Sequence, residues 1–190
     1  MTTPNLTPRQ QKWFASVRAG LERDTGKSLE TWVEIAKSCP ETSHRARLQW
    51  LKEHHGLLQN RASQVLGEAF GSIVAWNDPD ALISTLWVDP TSCAIFEAVD
   101  AAALALPGAI RTARKGYTAW SRQVQFAAAR PMKGGKAMLG LAVTPYADSG
   151  LEAPKSESWS ERLKSRRRLE APADVDETIR TLLRTAWERS

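Results

Sequence analysis

Apolar residues step along the first seventy positions at intervals of three and four. Trp13, Val17 and Leu21 follow Thr7-Pro8; Leu29, Trp32, Val33 and Ala36 follow Ser28; Leu48 and Leu51 follow Thr42-Ser43; Ala62, Val65, Leu66 and Ala69 follow Asn60. Such spacing puts one apolar stripe on each helix. Thr7, Ser28, Thr42 or Ser43, and Asn60 are the expected N-caps, with Pro8 at a first helical position. Gly26, Pro40, Gly56 and Gly71 punctuate the ends. The pattern predicts a four-helix N-terminal bundle.

Two Asp-Pro pairs follow, Asp78-Pro79 and Asp89-Pro90. Each reads as an N-cap aspartate before a proline at the first helical position. The first pair predicts a short helix across Leu82 to Trp87, and the second a longer one ending at Pro107-Gly108. Beyond that the period falls to two: Val124, Phe126 and Ala128 alternate with Gln123, Gln125 and Ala127, which is strand spacing. Strands are expected at Tyr117 to Ser121, Gln123 to Arg130 and Lys136 to Thr144, and a fourth at Arg166 to Glu170. Lys133-Gly134-Gly135-Lys136 reads as a hairpin turn. Ala147 to Glu161, rich in Ser, Pro, Glu and Gly, is expected to be a mobile loop. Asp174 is the expected cap of a last helix, with Glu177 three residues on. The fold class is therefore α+β: an N-terminal helical bundle followed by a small α-β-β-β-(β)-α domain with an antiparallel sheet. The expected divisions are a helical domain over 1–75, a connecting segment with a short helix over 76–90, and an α+β domain over 91–190.

Composition is that of an ordinary globular chain of 190 residues, 42% hydrophobic and 25% charged. The net charge of +5 favours acidic partners. Eight tryptophans are spread along the chain and are expected mainly as core anchors. Two distant cysteines, Cys39 and Cys93, make neither a zinc spacing nor a disulfide framework. No signal-peptide pattern and no run of membrane length is present, so a cytoplasmic protein without membrane contact is expected.

Charge distribution sharpens this picture. From Asp100 to Asp148 no acidic residue intervenes, yet the stretch carries Arg111, Arg114, Lys115, Arg122, Arg130, Lys133 and Lys136, interleaved with Tyr117, Trp120, Phe126 and Tyr146. One-signed charge among aromatics marks a surface that meets polyanions. The expected polyanion-binding residues are Arg114, Lys115, Tyr117, Arg122, Arg130, Lys133 and Lys136, extended by Arg166, Arg167 and Arg168. The competing view makes these the solvated face of a sheet whose other face is buried, with Trp120 in the core. The leading expectation is a non-catalytic binding module for nucleic acid, DNA or RNA, or another polyanion. A second is an adaptor whose helical domain docks a protein partner, which an exposed patch containing Trp32 or Trp50 would favour. A third is an enzyme or binder of a small anionic ligand, with a pocket lined by Tyr117, Trp120 and arginines.

Other candidates are weaker. A helix-turn-helix around Gly56 would want a small residue where Lys52 stands, so a structural bundle is favoured. His44, His54 and His55 make no i, i+4 metal pair, and His55 is expected as a helix C-cap. Lys133-Gly-Gly-Lys136 lacks phosphate-loop spacing. No nucleophile, base and orienting acid assemble, so neither a catalytic set, a metal nor a cofactor is assigned.

Thr25-Gly-Lys-Ser-Leu-Glu-Thr-Trp32 and Trp50-Leu-Lys-Glu-His-His-Gly-Leu57 resemble a bacterial family with an N-terminal helical domain of unknown function. Arg114-Lys-Gly-Tyr-Thr-Ala-Trp120 and Ala173-Asp-Val-Asp-Glu177 resemble the second uncharacterised domain of its two-domain members. Together the matches cover most of the chain. The order helix, antiparallel strands, terminal helix is also similar to the double-wing, frataxin-like class, which implies DNA binding in some members and iron handling in others. The resemblance brings no established activity.

Overall fold

A computed structural model describes residues 6–71 and 79–190. The chain divides into two compact units, Arg9–Asn77 and Asp78–Ser190, the second also counting Met1–Pro8. Asp78 and Trp76 lie outside the described residues, so the cap expected at Asp78 does too.

The first unit holds α1 (Pro8–Thr25), α2 (Leu29–Lys37), α3 (His44–His55) and α4 (Gln59–Phe70). Ser28 and Ser43 cap α2 and α3 by accepting from the amides of Thr31 and Ala46. The expected cap at Asn60 is not made. Leu58 takes the N-cap position of α4 without a side-chain hydrogen bond, and Asn60 falls inside the first turn. Nor does His55 cap α3: the Gly56 amide serves the carbonyls of Leu51 and Lys52. His55 instead packs edge-on against Trp32 and Trp50. Leu21, Leu29, Trp32, Ala36, Leu51 and Val65 lie at the centre of this unit's core. Trp32 is 2% exposed and donates to Thr25 Oγ1, so it anchors the bundle and forms no docking patch.

The second unit begins with α5 (Pro79–Leu86) and α6 (Pro90–Leu104). Five strands follow: β1 (Ile110–Ala113), β2 (Thr118–Ser121), β3 (Gln125–Met132), β4 (Lys136–Leu141) and β5 (Ser165–Leu169). α7 (Glu177–Glu188) closes the unit. The strands form an antiparallel meander in chain order. β1 is a strand that the sequence pattern did not signal. Asp89 caps α6 as expected, accepting from the Ser92 amide. The cap of α7 is Asp176, which accepts from the Ile179 amide, and not Asp174. Asp174 instead closes the turn after β5, accepting from the amides of Glu170 and Ala171.

Register assigns the faces. Trp120, Ala127 and Leu141 stand in one row across β2, β3 and β4, and they meet α6 and α7 in the main core with Ile95, Val99 and Ile179. Trp120 is fully buried, and its indole N–H donates to Asp100 at 2.8 Å. Alternation sends the next row, Thr112, Ala119, Ala128, Gly140 and Arg166, to the opposite face. That face is covered as well. Ala119, Ala128 and Met138 pack beneath Trp159 and Leu163.

Residues 147–161, expected as a mobile loop, include this cover. Glu152 exchanges two backbone hydrogen bonds with Arg166, and Trp159 is 8% exposed. Trp159 can lie flat on β4 because Gly140 has no side chain: a Cβ there would sit 2.7 Å from Trp159 Cζ2.

Candidate functional site

An antiparallel meander sends alternate turns to opposite ends of the sheet. The β1–β2 turn carries Arg114, Lys115 and Tyr117, and the β3–β4 turn carries Lys133 beside Lys136. Both therefore lie at one end. β5 finishes at the same end, because Leu169 and Arg168 pair with Ala137 and Met138 near the start of β4. Two inter-strand spacings, roughly 10 Å, separate the two turns. The chain turns tightly between β3 and β4 because Gly134 and Gly135 adopt positive φ angles of 78° and 71°. Gly135 also lets this hairpin approach the start of α6, since a Cβ would meet Thr91 at 2.9 Å.

The ten expected site residues divide by position. Arg114, Lys115, Tyr117, Lys133, Lys136 and Arg168 gather at this end. Arg130, paired with Met138, stands one step down the sheet on the face that Trp159 covers. Arg122 is at the opposite end, in the β2–β3 turn, its guanidinium 4.6 Å from the centre of the Trp187 ring. The arginine run of β5 splits by alternation: Arg166 and Arg168 share the Trp159-covered face, while Arg167 turns the other way. Arg167 donates to the Ser149 carbonyl at 3.4 Å.

Carboxylates absent from the basic stretch itself reach it through the fold. Arg166 donates to Glu157 at 2.6 Å and to Glu152 at 2.8 Å, with side chains of Arg166 and Glu157 only 11% and 1% exposed. Arg130 lies 4.0 Å from the same Glu157 oxygen. Burial pushes the Glu157 carboxyl up, but hydrogen bonds from Arg166 and from backbone amides outweigh it and hold it below its ordinary value. Glu170 accepts from Lys136 at 2.8 Å and meets Arg168 at 3.2 Å, and these two cations keep its carboxyl low. Lys115 and Lys133 are exposed, and no ion pair among the described residues engages either. Sequence reading missed Glu152 and Glu157. Their only signal was acidity in the segment leading to β5, and their partner Arg166 is fourteen and nine residues away.

The other candidate groups are buried or already engaged. Trp120 is too deeply buried to line a pocket. Cys93 lies 3.9 Å from Glu97, and burial followed by that carboxylate pushes the thiol up, away from the thiolate. Asp100 is spent on Arg111, at 2.5 Å, and on Trp120. Among the described residues no group of three His, Cys, Asp or Glu side chains could hold a metal ion, and no helix is long and apolar enough to cross a membrane.

The second unit is thus an α+β domain with α5, α6 and α7 on one face of a five-stranded antiparallel sheet and an irregular segment on the other. Its sequence from 83 to 190 matches the family described as domain of unknown function (DUF5655), and the chain belongs to that family. Residues 13–76 match a second, adjacent domain of unknown function (DUF4287), which gives the chain the two-domain organisation of an uncharacterised family. No curated protein and no solved structure matches the chain.

Proposed function

We propose that the α+β unit is a non-catalytic binding module for nucleic acid or another polyanion, and that its contact surface is the end of the sheet bearing the β1–β2 and β3–β4 turns. One observation carries the reading: two turns about 10 Å apart present Arg114, Lys115 and Lys133 with no acidic residue in either turn. Phosphate oxygens are the natural partners of such a paired set of cations. Tyr117, half-buried against the Trp159 side of the sheet, borders the same surface and supplies a ring for stacking. Arg166, already neutralised by two carboxylates, and Arg122, at the far end, take no direct part. Lys136 and Arg168 contribute as a rim shared with Glu170.

The test is fluorescence anisotropy with labelled single- and double-stranded DNA and RNA. Salt-sensitive binding is expected, which the Lys115→Glu/Lys133→Glu variant loses by about tenfold or more, with an unchanged circular dichroism spectrum. Wild-type affinity in that variant would overturn the site.

A further inference from the structure

The helical unit carries an open groove of about 990 Å³ between α3 and the first turn of α4. Arg45, Leu48, Gln49 and Lys52 line one side. They stand at i, i+3, i+4 and i+7 of α3, a single helical face. Leu57 and Leu58 continue the apolar strip, the first buried and the second 67% exposed. Arg45 and Lys52 are exposed, and no ion pair among the described residues engages them. Asp24, the acid that lines the groove, is already bound by Arg23 and Arg61. Their hydrogen bonds, Arg23 first, hold its pKa at about 2. The groove is therefore apolar along its floor and cationic along its edge. The uncapped start of α4, with no acid in its first turn, adds to the positive field.

We propose that this groove takes an acidic amphipathic helix from a partner protein. Arg45 and Lys52 are separated by about 10 Å along α3, and a helix with carboxylates at i and i+7 repeats that spacing. Apolar side chains at its i+3 and i+4 positions then meet Leu48 and Leu58, over the buried Leu57, the helix-in-groove mode of recognition. A DNA duplex fits less well. A DNA-reading helix projects into the major groove, whereas the first turn of α4 lines a concavity shared with leucines. This docking surface belongs to the helical unit and stands independently of the function proposed for the sheet.

The experiment uses the full chain and a fluorescein-labelled Ala/Gln peptide about four turns long, with two Glu seven residues apart and two Leu between them. A companion peptide carries Lys in place of Glu, and a short duplex DNA is the third probe. The expected result is binding of the acidic peptide at least about tenfold tighter than of the basic one, with amide shifts confined to Arg45–Lys52 and Leu57–Arg61. Arg45→Glu/Lys52→Glu should weaken it about tenfold with unchanged circular dichroism. The proposal is overturned if neither peptide binds, if both bind alike, if the charge-reversed variant binds as wild type, or if the duplex rather than the peptide shifts these amides.

Discussion

Gly140 and Glu157 show how single residues decide what the sheet can present. Trp159 occupies the space a side chain on Gly140 would need, so Gly140→Ala should destabilise the protein by about 2 kcal/mol through overpacking. Urea denaturation measures this, and an unchanged midpoint would contradict the packing described. Glu157 is held below its ordinary pKa in the folded chain. Its contribution to stability is therefore present above the unfolded value of about 4.5 and is lost as pH falls through the folded value. Urea midpoints followed from neutral pH down through that range should drop more steeply for wild type than for Glu157→Gln; parallel curves would refute the assignment. At this scale the sequence was half legible. The cations and Tyr117 could be named, because charge and aromaticity are written in residue type. Which cations are already neutralised could not, because Glu157 reaches Arg166 only after an irregular segment folds back on the sheet.

Elements were legible where a cap, a period and a stop agree. α2, α3 and α6 have Ser28, Ser43 and Asp89 as caps, each with a local hydrogen bond that the sequence foretells. α4 departs from that logic, since leucine stands at its N-cap. The contrast predicts opposite outcomes for two substitutions. Asp89→Ala should cost about 1 kcal/mol, and Leu58→Asn should gain up to about as much, since an asparagine there can accept from the first turn. Thermal or urea unfolding of the two variants decides it, and equal shifts of the same sign would be the contrary result. The strands were found where they are long or bounded by glycine turns. β1 escaped although it is no shorter than β2, and it belongs to the sheet through the register it makes with β2. The asymmetric expectation of one wet and one dry face also failed. Four consecutive residues of β3, Phe126 to Ala129, are buried, and alanines at those positions carry no polarity to distinguish one side from the other.

At the scale of the molecule, the two units offer different surfaces. The sheet's helix-packed face is covered and Trp159 covers part of the other, so its exposed cations lie in its turns and, as Arg130 and Arg168, beside Trp159. In the fold, the β1–β2 and β3–β4 turns bring Arg114, Lys115 and Lys133 to one end of the sheet, where Glu170 also stands. The charge pattern suggested the polyanion reading; that these two turns share one end of the sheet was not legible, because only the meander brings them together.

The most direct test is the salt dependence of binding to a labelled single strand, measured for wild type and for Lys115→Glu/Lys133→Glu. With Arg114, Lys115 and Lys133 each meeting one phosphate, the logarithm of the binding constant should fall against the logarithm of salt with a slope near −2. The variant's slope should be markedly shallower and its affinity lower. No binding at low salt, or the same slope in both proteins, would contradict the central claim that this end of the sheet is the binding surface.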